Sequence, residues 1–501
     1  MQTANPDTDA PYDLLVVGGG IQGAWIALEA ARAGERVALI EKEDFGSGTS
    51  ANSLKVLHGG LRYLQHGNLK RIRESRRSVR STQVVAGDLI EDRAFFLETR
   101  GYGVRGPWAM RAALLLYGML CRLWRDGGPA PGGRVFAGDP SNVFPGGKFS
   151  PFANGVARWN EAVMRNSERV VFEVIRAAER EGAQCRNYCE KIGLEGSPGD
   201  WRIRVHDHRR GDSGVILARR LVEATGPSVE SILGEKGCGL LRGVNLVFQG
   251  IPFDEQAVGL ESREDSNDPD ALVQKGNRLL FFVPHEDQTM VGTWYNRVQG
   301  METEISEEEI SSWLEEIEAV APGRGFTRRN LRYVHSGLLP ADERVAGVAQ
   351  PAKESEIFEV DDQHLAVRTV KFTTAPEVAR DALKRLGIHP APRLTPGRSR
   401  VAAGPPFPWD SLLREEADVD PAVLMTAIEE EKILHLDDAL LRRSNIVLDD
   451  FCTAEQIERA AVRLSSLLGW DESARRKEVA RVWSRLATHP TKQEKQKGVR
   501  E

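Results

Sequence analysis

Several features that would place a protein in a narrow class are scarce in this sequence of 501 residues. Its five cysteines include no Cys-x-x-Cys pair, so a disulfide framework is excluded and a reducing, cytoplasmic compartment is expected. A net charge of -6 provides no basic field, which argues against nucleic acid as a partner. The ten histidines do not have the spacing typical of metal ligands, and no metal is expected.

Long apolar runs are also missing. Residues 1–11 lack the basic start and apolar core of a signal peptide and are typical of a disordered leader, and the charged residues 487–501 are typical of a disordered tail. The segment 107–125 is apolar but too short and too charged to span a bilayer. With Trp108 and flanking arginines it fits either a helix lying on the inner face of the membrane or an ordinary buried helix.

The strongest pattern that is present lies near the N-terminus. Apolar residues 14–17 precede a glycine turn, a helix rich in small residues follows through Ala33, and a second apolar run, 37–40, ends at Glu41. This order predicts a βαβ unit. Such a unit with a glycine turn is typical of dinucleotide binding.

The three glycines of the turn follow the spacing G-x-G-x-x-G. Gly18 permits the tight turn, Gly20 lets the backbone approach a pyrophosphate, and Gly23 lets the helix pack closely on the strand. The helix N-terminus offers amide groups and a positive dipole end to the phosphates. Glu41, 23 residues after Gly18, is placed to accept hydrogen bonds from a ribose. These residues alone do not separate FAD from NAD.

The segment 45–65 bears on that choice. It is rich in small residues and hydroxyls, including Thr49, Ser50 and Ser53, which can reach a cofactor that continues beyond its pyrophosphate. It then becomes polar at His58, Arg62 and Tyr63, as expected beside a ring. A solvated loop is the alternative interpretation of this composition.

This segment resembles the FAD-dependent glycerol-3-phosphate dehydrogenases, which share its Ser-x-Lys-x-x-His-Gly-Gly-Leu-Arg-Tyr pattern, residues 53–63 here. The resemblance continues over roughly residues 12 to 470. It includes an Ala-Thr-Gly-Pro turn with Thr225 and Gly226, and a segment with Lys371 and Thr373 that flanks the isoalloxazine in that family. The resemblance therefore implies FAD as the cofactor.

The resemblance also implies a fold. We expect an α/β chain with a Rossmann-like FAD-binding domain of the glutathione-reductase type, interleaved with an α+β substrate domain and followed by a helical C-terminal domain. The expected boundaries are 12–65, 155–232 and 330–390 for the FAD domain, 66–154 and 233–329 for the substrate domain, 391–410 for a linker, and 411–486 for the helical domain.

The same resemblance implies that the chain oxidises a CH-OH group by hydride transfer to the flavin. Lys371 is the candidate group beside the flavin, Arg62 the anion clamp, and His58 a base, on the expectation that its pKa lies near neutrality. Tyr63 and Lys353 are candidate substrate contacts. The expected partners are a small molecule and quinone or another electron acceptor, while a homodimer and a peripheral membrane contact stay open.

The substrate half of the family pattern is altered. Leu339 stands where the family has the arginine expected to hold the substrate phosphate, and a leucine cannot bind phosphate. Further departures occur at segments 161–163, 243–245, 292–295 and 369–370. Two alternatives therefore remain: a diverged FAD oxidase or dehydrogenase for another hydroxyl or amine compound, and a non-catalytic flavin-binding protein.

Overall fold

The computed structural model describes residues 10–124, 132–140, 153–265, 277–342, 350–394, 407–415, 419–444 and 453–486. Most of the predicted leader, most of the predicted linker and all of the predicted tail lie outside the described residues.

The strands are β1 Leu14–Val17, β2 Val37–Ile40, β3 Val56–Leu57, β4 Ile90–Arg100, β5 Gly133–Ala137, β6 Ala153–Met164, β7 Gln184–Arg186, β8 Cys189–Ser197, β9 Asp200–Asp207, β10 Asp212–Ala218, β11 Leu221–Glu223, β12 Leu240–Gln249, β13 Pro252–Glu255, β14 Ala257–Asp265, β15 Asn277–His285, β16 Gln288–Val298, β17 Leu331–Pro340, β18 Glu356–Asp361 and β19 His364–Arg368. The α-helices are α1 Ile21–Arg32, α2 Leu69–Ala86, α3 Pro107–Leu123, α4 Ser167–Arg180, α5 Val229–Leu233, α6 Glu307–Val320, α7 Ala375–Arg385, α8 Pro421–Glu430, α9 Ala454–Leu468 and α10 Glu472–Leu486.

A six-stranded sheet in the order β18-β19-β11-β1-β2-β7 carries the predicted βαβ unit. Its central strand β1 is parallel to both β2 and β11, and every residue of β1 and β2 is buried. Strands buried on both faces read as continuous apolar runs, which is why these two were visible in the sequence. Helices α1, α4 and α7 pack together over one face of this sheet.

A second sheet, mixed in direction, has the order β17-β12-β16-β15-β14-β4-β6-β3, with β5 paired to β6. Within it β15 and β16 form a hairpin. Helix α6 packs against its apolar face, where Trp313 stacks on Trp294. Three strands that fall largely within the segments expected for the FAD domain pair in this second sheet, namely β3, β6 and β17. The domain boundaries expected from the sequence remain a proposal.

The C-terminal helices α8, α9 and α10 have their own apolar core with Trp409 and Leu412. They dock on the first sheet's side of the molecule through a buried group of charges that includes Asp44 and Arg443. The carboxyl ends of β1, β2 and β11 open toward a large cavity that the second sheet also borders. Ligands of parallel sheets bind at such ends.

Candidate active site

The cavity has a volume of about 1800 Å³ and collects nearly all of the residues that the sequence singled out. Those lining it are Gly18, Gly20, Glu41, Thr49, Ser50, Ser53, His58, Arg62, Tyr63, Thr225, Gly226, Lys353, Lys371 and Thr373. Gly23 does not line the cavity. It faces the backbone of the turn instead, and a Cβ placed on it would stand 1.8 Å from the carbonyl oxygen of Gly18. Its need for glycine is therefore close packing of α1, as the motif predicts.

The glycine turn leaves room where a pyrophosphate would approach. Gly18 has φ +110°, a conformation that favours glycine, and a Cβ there would lie 2.4 Å from the Ala224 carbonyl oxygen. Gly20 faces the cavity, and a Cβ placed on it would meet only the Ser50 hydroxyl, at 3.2 Å. Ser50 in turn accepts a hydrogen bond of 3.1 Å from the first amide of α1, that of Ile21.

Glu41 organises this end of the cavity. Its carboxylate accepts hydrogen bonds from the amides of Gly19, at 2.6 Å, and Glu43, at 2.9 Å. Burial raises the pKa of Glu41 although these two hydrogen bonds act against the shift. The carboxylate thus lies beside the glycine turn, as a ribose-binding acid would.

Several buried polar atoms of residues that line or adjoin the cavity have no hydrogen-bond partner within the described part of the chain, and two of them lie beside the glycine turn. They are the Thr225 hydroxyl and the side-chain oxygen of Gln22. Buried polar atoms are rarely left unpaired, so such a pair points to a polar ligand. Together with the glycine turn and Glu41, they fit a dinucleotide.

Farther along the cavity, the segment with Lys371 meets the segment with His58. The Thr373 hydroxyl accepts a hydrogen bond of 3.3 Å from the His58 amide, and the Lys371 ammonium donates one to the Tyr63 hydroxyl. The Lys371 nitrogen also lies 4.5 Å from the centroid of the Tyr63 ring. Gln22 donates a hydrogen bond of 3.1 Å to the Lys371 carbonyl oxygen and so ties this segment to α1.

The electrostatics of this cluster correct one expectation. The His58 ring is accessible from the cavity but lies deep within the protein, and burial together with the charges of Lys371 and Arg62 lowers its pKa to about 4. The expectation that His58 titrates near neutrality is therefore wrong. An isolated sequence motif does not show that two cations converge on the ring.

Lys371, by contrast, titrates near neutrality. Burial, with the charges of Arg71 and Arg62, lowers its pKa to about 7, against a smaller opposing effect of Glu354. At pH 7 about half of the protein molecules therefore carry Lys371 as the neutral amine, which can act as a base, and the others carry it as the ammonium cation. Arg62 influences the pKa of His58, Tyr63, Lys371 and Tyr295, which places its guanidinium among these four side chains.

The opposite wall consists of three adjacent strands of the second sheet. Gly243 of β12 pairs with Tyr295 of β16 and with Gly337 of β17. The side chains of Leu339 and Tyr295 converge over Gly243, at 3.4 and 3.5 Å from the position of a Cβ on that glycine. This wall is apolar at the position where the resembled family carries an arginine.

Lys353 lies near that wall. The Ala352 amide donates a hydrogen bond of 2.9 Å to the Pro340 carbonyl oxygen, which brings Lys353 to the end of the strand that carries Leu339. Lys353 lines the cavity there.

Glu161 and Arg485 line the cavity but were not identified as site residues from the sequence. Glu161 accepts hydrogen bonds from the Gly59 amide, at 2.6 Å, and from the Trp159 indole, at 3.2 Å, and burial raises its pKa to about 7. Arg485 reaches the cavity from the C-terminal helix α10. Glu161 falls in segment 161–163, which the sequence marked only as a departure from the family pattern. No local sequence signal marks Arg485, because it comes to the cavity through a pairing distant in the chain.

Comparisons with known proteins identify the family of this chain. Residues 13–423 match the family model described as FAD dependent oxidoreductase. The chain belongs to the FAD-dependent oxidoreductase family. FAD is accordingly its cofactor, and the predicted α/β fold is confirmed.

Curated relatives carry the name that the sequence resemblance suggested. A glycerol-3-phosphate dehydrogenase of Synechocystis is 27% identical over 66% of this chain and 60% of its own length. One from Pseudomonas aeruginosa is 30% identical over 62% of this chain and 57% of its own length. The aerobic enzyme of Escherichia coli is 26% identical over 76% of this chain and 75% of its own length. The match thus spans about 60% of the first two relatives.

Solved structures show the same fold. The glycerol-3-phosphate dehydrogenase from Bacillus halodurans, complexed with FAD, superposes with a TM-score of 0.70 at 18% identity and covers 96% of both chains. A glycine oxidase from Geobacillus kaustophilus superposes with a TM-score of 0.52 at 14% identity, over 78% of this chain and 99% of its own. Within the described residues, no helix has both the length and the apolar character needed to cross a bilayer.

Proposed function

We propose that this chain oxidises the CH-OH group of a small anionic substrate, such as glycerol 3-phosphate, by hydride transfer to FAD. The observation that carries this proposal is the convergence of Arg62, Lys371 and Tyr63 at one end of the cavity, beyond the glycine turn. FAD, when bound, supplies the hydride acceptor. The side chains named here then have to bind the substrate, orient its C-H bond and take the hydroxyl proton.

Arg62 holds the anionic group in this scheme. A guanidinium makes paired, charge-assisted hydrogen bonds to phosphate or carboxylate. Lys353, at the end of β17, is a second contact for the same anion.

Lys371 takes the hydroxyl proton. A base with a pKa near the working pH is the most effective one, and the pKa of Lys371 is about 7, whereas that of His58 is about 4. Once protonated, the Lys371 ammonium adds a positive charge at the ring-binding end of the cavity, where it stabilises a negative charge on a bound group. The Tyr63 hydroxyl, hydrogen bonded to Lys371, orients the amine. His58 stays neutral and orders the segment through its amide bond to Thr373.

A second candidate function is favoured by the wall of Leu339, Tyr295 and Gly243. An apolar wall accommodates an apolar substituent better than a phosphate, so the substrate in this case is another hydroxyl or amine compound that bears its anionic group near Arg62.

Anaerobic reduction of the purified holoenzyme distinguishes them. We expect glycerol 3-phosphate to bleach the flavin absorbance rapidly if the first candidate is correct. Bleaching only by unphosphorylated hydroxy acids or amines would select the second candidate. Bleaching by dithionite but by no member of such a panel would contradict both.

We also propose that α3 rests on a membrane surface and brings the site close to a quinone acceptor. One face of this helix lines the cavity with Ala109, Met110 and Ala113. The other face exposes large apolar side chains, namely Trp108 (71% exposed), Leu115 (67%), Met119 (58%) and Leu123 (72%). Apolar side chains of this size, exposed together on one helix, are typical of an interfacial segment.

Sedimentation with vesicles of anionic phospholipid tests this contact. We expect a Leu115→Ser/Leu123→Ser variant to lose most of its vesicle binding. Val423→Ser, which also replaces an exposed apolar side chain by serine but lies on α8, serves as the control and should keep vesicle binding. If the double variant bound vesicles normally but shifted from dimer to monomer in solution, the patch would belong to a homodimer instead.

A further inference from the structure

The loop that follows β2 is held from two sides. On the inner side, the Glu41 carboxylate accepts hydrogen bonds from the backbone amides of Gly19 and Glu43 and so fixes the loop to the glycine turn. On the outer side, the next residues bind the C-terminal domain: Glu43 pairs with Arg485 and Asp44 pairs with Arg442 and Arg443. The position of the acid expected to hold the ribose is therefore tied to a domain more than 350 residues away in the chain.

The attachment at Asp44 is fully buried. Arg443 binds both carboxylate oxygens of Asp44, at 2.8 and 2.9 Å, and Arg442 binds one of them at 2.6 Å. Burial alone would raise the pKa of Asp44, but the charges of Arg443 and Arg442 outweigh it and hold that pKa well below its usual range. The carboxylate is thus ionised near neutral pH, and the loop is anchored by charge-assisted bonds without access to water.

Arg485 extends this attachment to the cavity itself. Among the described residues, it is the one position beyond residue 374 that lines the cavity. Its guanidinium lies 3.2 Å from the Glu43 carboxylate and 3.8 Å from that of Asp437, so it is directed by one group on each domain. Beside it the cavity is lined by Lys42, Glu43 and Glu190.

This part of the cavity is the end that the adenosine of FAD would occupy. The glycine turn marks the pyrophosphate and Glu41 marks the adjoining ribose, while Lys371 and His58 mark the opposite, ring-binding end. The family model ends at residue 423, before Arg442, Arg443 and Arg485. The contribution from the C-terminal domain therefore lies outside the segment that this family model covers.

We propose that the C-terminal helical domain completes the adenosine end of the FAD site, with Arg485 as a positioning residue that acts through Glu43. Arg485 fixes the Glu43 carboxylate, which holds the loop in the conformation that presents Glu41 to the ribose. FAD affinity is then coupled to the docking of α10, and by thermodynamic reciprocity FAD binding strengthens that docking.

The test is the dissociation constant for FAD of the full-length protein, measured by titration after removal of the bound flavin. We expect Arg485→Gln to raise this constant about threefold to fivefold at low salt, the range that a partly exposed ion pair allows. The thermal midpoint of the flavin-free protein should stay unchanged, since Arg485 is 41% exposed and contributes little to the core. A merely structural role would lower that midpoint and leave the dissociation constant alone.

Arg476→Gln is the matched control. Arg476 lies on the same helix, is 74% exposed and pairs with Glu472 away from the cavity, so its replacement should leave FAD affinity unaltered. We further expect Glu43→Gln to weaken FAD binding as Arg485→Gln does, and the double variant to be no weaker than either single one. Unchanged FAD affinity in Arg485→Gln would overturn the proposal. Additive effects in the double variant would overturn the route through Glu43.

Discussion

The two ends of the cavity differ in how their residues are arranged along the chain. The adenosine end is built mostly from one continuous segment, in which Gly18, Gly20, Gly23 and Glu41 lie within 24 residues. The substrate end brings together residues from four separate parts of the chain. Tyr295 lies in β16 and Leu339 in β17, while Arg62 follows β3 and Lys371 follows β19. The cofactor end therefore leaves a local motif in the sequence, whereas the substrate wall depends on contacts between strands that are distant in the chain.

The largest effect is expected at the local end. Gly23→Ala places a Cβ 1.8 Å from the backbone of Gly18, so α1 has to move away from β1 and we expect loss of FAD binding together with loss of stability. Gly20→Ala meets only a side-chain hydroxyl at 3.2 Å, so this variant should fold but bind FAD weakly because the Cβ fills the space of the pyrophosphate. Circular dichroism and FAD titration measure the two effects separately. Equal behaviour of the two variants would contradict the separate roles assigned to these glycines.

The second effect concerns the ring end. Lys371→Met should lower the rate of anaerobic flavin reduction by about 10² to 10⁴-fold, the usual contribution of a general base. In the unaltered protein, kcat/KM should rise as the pH increases through about 7, because the neutral amine becomes more abundant above its pKa. Lys371→Met should lose this rise. A fall in kcat/KM over the same pH range would show that the charged form of Lys371 is required instead.

These two predictions separate what the sequence reveals from what it does not. The glycine spacing and the apolar runs of β1 and β2 predicted the local fold correctly, since close packing and buried parallel strands leave direct marks on composition. The sequence also selected Lys371 by its motif. It did not reveal the hydrogen bond from Lys371 to Tyr63, 308 residues away, or the two cations that lower the pKa of His58. Effects of this kind depend on distances in the folded state.

The third effect compares the buried attachment of the C-terminal domain at Asp44 with an exposed ion pair within α10. Asp44→Asn leaves Arg442 and Arg443 buried with a lost partner charge, and we expect the free energy of unfolding to fall by about 3 to 5 kcal/mol. Glu472→Gln removes the exposed partner of Arg476 and should change it by less than about 1 kcal/mol. Urea unfolding measures both. Similar values for the two variants would argue against an anchoring role for Asp44.

The smallest effect is expected at the substrate wall. Leu339→Arg should improve kcat/KM for a phosphorylated substrate by about tenfold, as one additional charge-assisted hydrogen bond allows. Leu339→Met keeps the wall apolar at a similar volume and serves as the control. No gain with arginine would indicate that Leu339 does not occupy the position of the phosphate-binding group.

Reduction of the holoenzyme by substrate tests the central claim most directly. The purified protein should be yellow, and a small anionic alcohol added without oxygen should bleach its flavin absorbance faster than the same alcohol without its anionic group. A colourless protein that takes up no FAD, or a flavin that no such alcohol reduces, would contradict the account.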